Sequence, residues 1–547
     1  MLWRVYLRTG GHPSDVRGHR AVSRGNICRG RAWHGSCLTY LIYQGSHLMA
    51  SVPKHRPSSS RVLPVFCAAL VLWSEMLSPA SAQQAPQSST AYQGWAAMAD
   101  KDVDFSLQWF RDQSIMAVYP DPSGFEATLS KARKQADADL QQVKNFEGYR
   151  QTMAHLFSTF NDAHAYVSIE LTPVFYQWPG FLAVYQGRRF LVAGSEGVIA
   201  NGAEITECDG LPMAEWSKRV APYQNMIPGL ESTHARVALN LFRDSASPFI
   251  ARPRSCIVDG RSVDLQWHII PTTELAKIRS QLVPQLGRSV TVEPFGNDGA
   301  WVRLGNFSPR DRKESDQFEA LYKVAPSLRD KSIIVLDVRG NTGGPYEWFM
   351  GVLRALYGRE YANYYARERL KISAVLRVSK EHQRDAAAPQ GQADPSAPAE
   401  GPKDGTPYDA DNSLYAAAVA RGETVIKEPV NANKVPKPRR IPANPVRAKV
   451  FVLTDYDCGS ACIAFVDELK NFPGVKQVGL ETFVDTRTGS PVEADLPSSN
   501  GVIAVPYVTR DGRQRNDNVP QQPEIEYKGN IADTASVKAW IEKIARE

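Results

Sequence analysis

The chain has 547 residues, 43% hydrophobic and 22% charged, the balance of a soluble globular protein with room for two or three domains. Its formal charge of +6 originates in residues 1–82, where ten Lys/Arg face two acids and leave the remainder at −2. So neutral a body lacks the basic face that nucleic-acid binding requires, and that class is set aside.

Residues 1–48 have no periodicity and many Gly, Arg and Cys, and read as an upstream extension, with Met49 as an alternative start. Lys54, His55, Arg56 and Arg61 then form a positive segment, Val62 to Trp73 a short apolar run, and Ala80-Ser81-Ala82 a small-residue cleavage site before Gln83. This order is that of a secretory signal peptide over 49–82, with an uncleaved anchor as the alternative. The run is short for a transmembrane helix, so no stable membrane insertion is expected after cleavage, and the mature chain is expected in the periplasm or outside the cell. Export leaves Cys208, Cys256, Cys458 and Cys462, enough for two disulfides. Cys208–Cys256 is one pairing; Cys458–Cys462 would close a very short loop around Ser460, which counts against it. No cysteine or histidine spacing fits a zinc site, and no metal or cofactor is expected.

Residues 83–168 read as a helical region, with Tyr149, Met153, Leu156, Phe157 and Phe160 on one helix face. That face ends in Asn161-Asp162-Ala163-His164 and a strand over 165–169. Residues 169–290 read as a small β-rich domain: a strand over 189–193, a strand and turn over 202–210, and a hairpin over 257–263 turning on Asp259-Gly260. From residue 291 the pattern becomes strand–turn–helix–strand, with near-continuous apolar runs at 300–304, 332–338, 449–453 and 475–479. Such runs predict buried parallel strands and an α/β core over 291–378 and 446–547. The intervening 379–445 is rich in Ala, Pro, Gln, Asp and Gly over 379–412 and reads as a surface insertion, with a short helix candidate and a Pro/Lys/Arg stretch over 413–445.

Three stretches carry candidate chemistry. Asp337-Val338-Arg339-Gly340-Asn341-Thr342-Gly343-Gly344 is a buried strand breaking into a glycine turn whose N–H groups can face an oxyanion; it fits no nucleotide-binding pattern. Cys458-Gly459-Ser460-Ala461-Cys462 puts a serine between small residues at a strand-to-helix junction; an isolated serine there is more often a helix N-cap. Asp162-Ala163-His164 holds a histidine that is structural unless a nucleophile needs a base.

Together these motifs resemble the C-terminal processing (tail-specific) protease family, over roughly 146–375 and 446–530. Phe307 after the 301–304 strand and Gly479-Leu480-Glu481-Thr482 fit the same pattern. The resemblance implies a ClpP/crotonase-like β-α superhelical core, a helical N-terminal region and a PDZ-like β-rich domain. The Ser/Lys branch of the family carries a lysine where this chain has Asp485, and Lys476 lies on the preceding strand, so the resemblance is to the tricorn-core-like Ser/His branch. It implies Ser460 as nucleophile and His164 as general base. Asp517, or alternatively Glu481, would orient the histidine, and N–H groups of Gly343 or Gly344 and of Ala461 would hold the oxyanion. Asn516 and Asn518 stand beside Asp517 in place of the expected glycines, and Ala163 replaces the serine that tricorn-type sites place before the histidine. The partner expected is a peptide or polypeptide substrate. Three rivals stay open: a non-catalytic carrier on the same fold, as among vertebrate retinoid-binding proteins, an esterase using the same site, and a cysteine nucleophile at Cys458 or Cys462.

Overall fold

The structure is a computed structural model that describes residues 89–547 except 170, 198, 284–285, 367–370, 380, 382–411 and 429–439. The upstream extension, the signal peptide and most of the insertion lie outside the described residues.

Three helices open the described chain: α1 (Ser89–Gln113), α2 (Pro122–Leu140) and α3 (Phe146–Ser158). Asp121 and Asn145 cap α2 and α3, their side chains accepting from Gly124 N and Gly148 N; each such cap contributes about 1 kcal/mol. The face of α3 read from the sequence is buried: Tyr149, Met153, Leu156 and Phe157 pack on Val103, Phe110 and Leu129. Phe160 lies past the end of α3 and stacks on Phe110 with ring centroids 3.9 Å apart. The chain then turns over 161–165 into β1 (Tyr166–Ile169).

The β-rich region holds β2 (Phe175–Trp178), β3 (Leu182–Gln186), β4 (Arg189–Ala193), β5 (Glu204–Cys208), β6 (Leu211–Pro212), β7 (Ser255–Val258), β8 (Arg261–Asp264) and β9 (His268–Pro271). An antiparallel sheet runs β3-β4-β5-β7-β8, with β6 on β5, while β2 and β9 pair as a separate ribbon. The β7–β8 turn falls on Asp259 and Gly260, with φ 46° and 74°, the two left-handed residues a tight hairpin needs. Cys208 and Cys256 face each other across β5 and β7 and form a disulfide.

The remaining strands are β10 (Val290–Phe295), β11 (Gly299–Leu304), β12 (Ile333–Asp337), β13 (Ser373–Arg377), β14 (Val425–Lys427), β15 (Lys449–Thr454), β16 (Val475–Gly479), β17 (Thr488–Asp495), β18 (Gly501–Asp511) and β19 (Ile525–Glu526). A six-stranded sheet runs β10-β11-β12-β15-β16-β19, parallel except for β10. Both faces are covered, which is why its central strands read as unbroken apolar runs. Val302, Leu336 and Val452 point to helices 312–324, 346–357 and 461–469, whereas Trp301, Val335 and Phe451 point to the C-terminal helix 534–546.

A second, antiparallel sheet runs β1-β18-β13-β14, with β17 on β18. It changes two of the expected boundaries. β1 belongs to this sheet, so the helical region does not end cleanly at residue 168. Residues 412–428, expected within the surface insertion, hold the helix Asn412–Ala420 and β14, which pairs with β13. That pairing depends on a partner about fifty residues away, which local composition does not register. The described residues cluster as one unit. Among the described residues no helix is long and apolar enough to cross a membrane.

Candidate active site

Two parallel neighbours, β12 and β15, deliver the two turns of the site. At the end of β12 the Asp337 carboxylate is buried and takes two bonds from Arg339 (Nε to Oδ1 2.9 Å, Nη2 to Oδ2 2.7 Å). Arg303 Nη1 and Trp301 Nε1 add contacts at 3.1 Å each. Burial pushes the Asp337 acid up, but the bonds and charge of Arg339, with the charge of Arg303, hold it below the usual carboxylate range. Arg339 is itself only 1% exposed. This buried pair fixes where the strand ends and the turn begins.

Within the turn Asn341 acts as a brace. Its Nδ2 donates to Leu304 O (3.0 Å), its Oδ1 accepts from Gly343 N (2.9 Å), and its carbonyl accepts from Gly459 N (3.1 Å), tying the glycine turn to the serine loop. Gly343 and Gly344 have φ of 105° and 135°, and added Cβ atoms would lie 2.7 Å from Gly459 O and 2.2 Å from Phe307 O. Glycine is required there both by backbone conformation and by space.

The serine loop follows β15. Asp455 accepts from Gly340 N through both oxygens (3.0 and 2.9 Å) and from Asp457 N (3.1 Å). Burial and the neighbouring Asp457 push its acid up to about 7 against those donors and Arg339. Ser460 then adopts φ 51°, ψ −119°, a strained conformation for a residue with a side chain, immediately before helix 461–469. It occupies the N-cap position, yet its side chain makes no capping bond, so the N-cap explanation for this serine fails. Cys458 and Cys462 are joined by a disulfide around it, contrary to the expectation from loop length. The sharp turn at Ser460 brings their Cα atoms within 5.3 Å, which the sequence separation alone conceals. Neither sulfur is a free thiol, which removes the cysteine-nucleophile reading for this state.

The third component arrives from far away in sequence. In the turn before β1, His164 places Nε2 3.3 Å from Ser460 Oγ. Its backbone N–H donates to Asp162 Oδ1 (2.9 Å), and its Nδ1 lies 3.6 Å from that same oxygen. His164 Nδ1 is buried and makes no hydrogen bond. The other oxygen of Asp162 takes a short bond from Thr488 Oγ1 on β17. Burial pushes the Asp162 acid up, but His164 and Thr488 together hold it below its ordinary value.

Ser460 and His164 are therefore brought together, Gly343 and Ala461 lie against the serine, and Gly344 follows in the same turn. The backbone donors divide differently from expectation. Gly343 N–H is taken by Asn341, whereas Ala461, first residue of its helix, has no intrahelical acceptor, and Gly344 N–H has none among the described residues. Asp517 is not at the histidine. Its carboxylate takes Arg487 N (2.7 Å) and Nε (3.1 Å) and Arg513 Nη2 (2.6 Å), so both oxygens are committed to two arginines. Glu481 is bonded to Gln522 Nε2 at 2.5 Å, also away from His164. Asp485, standing where the other branch has lysine, pairs with Arg513 and Arg515 at 2.7 Å each. Sequence reasoning placed Asp162 and Asn341 in its motifs without giving either a role, and it missed Thr488 and Asp455. For Asp162 a signal existed, since an aspartate two residues before a histidine can bind that residue's N–H.

Residues 298–527 match the model of peptidase family S41. No curated protein matches the chain by sequence. Among solved structures, mature CPAF complexed with lactacystin is similar with a TM-score of 0.55 at 15% identity, over 83% of this chain and 98% of that one. Mature CPAF alone gives 0.52 at 15% identity, over 83% and 97%. At such identity the likeness concerns fold, and it agrees with the α/β core and the helical N-terminal region described above. The match to peptidase family S41 over 298–527 spans both turns of the site, and the protein is a serine-type peptidase.

Proposed function

We propose that the protein is an exported peptidase that cleaves peptide bonds through an acyl-enzyme, with Ser460 as nucleophile and His164 as general base. The observation that carries this reading is the 3.3 Å approach of His164 Nε2 to a serine hydroxyl left uncapped on a strained strand-to-helix turn. Ser460 Oγ attacks the scissile carbonyl carbon while its proton passes to His164 Nε2. The tetrahedral oxyanion lies against the N–H groups of Ala461 and Gly344, at the positive end of helix 461–469. The protonated imidazole then gives its proton to the departing amine, and a water molecule, activated by the same nitrogen, hydrolyses the ester. Losing one oxyanion donor in such a site costs about 3 kcal/mol of transition-state stabilisation.

The β-rich region is read as PDZ-like, taking an extended polypeptide by strand addition. Export is supported by the order of charged, apolar and small residues over 49–82, and by cysteines that all pair among the described residues.

Labelling of the purified protein with a fluorophosphonate tests the chemistry. The wild type should label, and Ser460→Ala and His164→Ala should each abolish it. A folded wild-type protein that does not label would move the carrier reading ahead. Labelled protein that hydrolyses small esters but no peptide in a library would favour the esterase.

A further inference from the structure

We infer that Asp162 is the positioning residue of this site: its carboxylate, locked between His164 N–H and Thr488 Oγ1, sets the tautomer and angle of the His164 ring toward Ser460. The inference rests on the Ser460–His164 reading and names the group that makes His164 a base.

For His164 Nε2 to accept the serine proton, the ring must carry its own proton on Nδ1. A buried Nδ1–H needs an acceptor, and Nδ1 makes no hydrogen bond in this structure. The carboxylate within ion-pairing reach of it is Asp162, with Oδ1 at 3.6 Å. Closing by a fraction of an ångström, as catalytic hydrogen bonds do when substrate binds, gives a charge-assisted bond of about 2.8 Å.

Asp162 is built for this task. Its side chain is 2% exposed. One oxygen is anchored by the backbone N–H of the histidine it faces, which fixes the separation, and the other by Thr488 from a strand 326 residues away. Thr488 is in turn bonded to Thr486 Oγ1 at 2.5 Å, so the carboxylate is held from both the α3–β1 turn and the β17 strand. These donors keep it ionised. A purely local role, closing the turn over 161–165, uses only Oδ1; it leaves unexplained why a second oxygen is fixed by a buried threonine beside an unpartnered imidazole nitrogen. A neighbouring alternative is Asn518, whose Nδ2 donates to Asn161 O (2.8 Å) while its Oδ1 is buried without a partner.

The test is the fluorophosphonate labelling rate of the full chain from about pH 5 to 10, with folding followed by circular dichroism. Asp162→Asn should lower the neutral-pH rate by on the order of 10²–10⁴-fold and move the apparent pKa of the base down by about one unit, since the charge favouring imidazolium is gone. Thr488→Val keeps the carboxylate but removes a donor that stabilises its charge. It should shift the same pKa upward by a few tenths, with the rate kept within about tenfold. Shifts of opposite sign would not come from a merely structural role. If Asp162→Asn does not fold, Thr488→Val carries the test alone, and an unmoved profile overturns the assignment. A His164→Ala variant labelling at the wild-type rate would sink the underlying function with it. A dead His164→Ala beside an unaffected Asp162→Asn overturns only this inference, and a profile that moves with Asn518→Ala instead gives the role to Asn518.

Discussion

The two sides of the site are built to different standards. On the nucleophile side, Asp337, Arg339, Asn341 and Asp455 are buried and interlocked by hydrogen bonds among β11, β12 and β15, and the glycine turn admits no side chain at Gly343 or Gly344. On the base side, His164 sits in a five-residue turn before a four-residue strand, its Nδ1 is unpartnered, and its approach to Ser460 is a long 3.3 Å. The parallel sheet fixes where the nucleophile stands. The base depends on a hairpin reaching in from β17 and β18, so its alignment is the adjustable quantity. A peptidase arranged in this way loses stability when the first side is damaged and loses rate when the second is.

The largest expected effect tests whether the rigid side also holds the chemistry. Ser460→Ala should lower peptidase activity by on the order of 10⁶-fold with an unchanged far-ultraviolet spectrum. Asp337→Ala breaks the comparison from the other direction. It leaves Arg339, 1% exposed, without its counter-charge, and should cost about 3–5 kcal/mol in urea unfolding. Asp337 also has an acid signature. Its folded pKa lies below the unfolded one, so its contribution is present above about pH 4 and fades as pH falls through the folded value.

These contrasts follow what the sequence could and could not convey. β12 and β15 were legible because a strand buried on both faces must be apolar at every position, and the Gly343–Gly344 turn because backbone conformation restricts residue choice locally. The strand over 189–193 and the Asp259-Gly260 hairpin were legible for the same local reasons. β17 and β18 were not anticipated: past its first two residues β17 alternates half-buried with exposed positions and carries Pro491, and its meaning comes from pairing with β18. The Ser460 turn is likewise local, whereas the surroundings of His164 are assembled from segments some 300 residues apart. The partners of Asp517 were not legible, because its position near a motif says nothing about Arg487 and Arg513, and the charge network around it forms only in the folded chain.

Asp455 offers an intermediate effect with a sign opposite to that of Asp337. Its folded acid is pushed up to about 7, so between the unfolded value near 4 and that point the folded state holds a proton the unfolded state has released. Stability should therefore decline by roughly 2 kcal/mol as pH rises from about 5 to 7. Asp455→Asn, neutral throughout, should flatten that slope in melting curves recorded against pH. A slope that survives the substitution would locate the titrating group elsewhere and would leave the serine loop insensitive to pH.

The smallest effect is expected where the resemblance had placed an orienting acid. Asp517 is 37% exposed and shared between two arginines, one of them half-exposed, in a geometry whose worth is about 0–1 kcal/mol. Asp517→Asn should therefore change stability by no more than that and leave the labelling rate and its pH profile in place. If instead the rate falls with an unchanged melting temperature, the carboxylate must swing from Arg487 and Arg513 to His164 when substrate binds. The base side would then be assembled by rearrangement of the 513–518 segment, and the contrast between a fixed nucleophile and an adjustable base would extend from a fraction of an ångström to a change of partners.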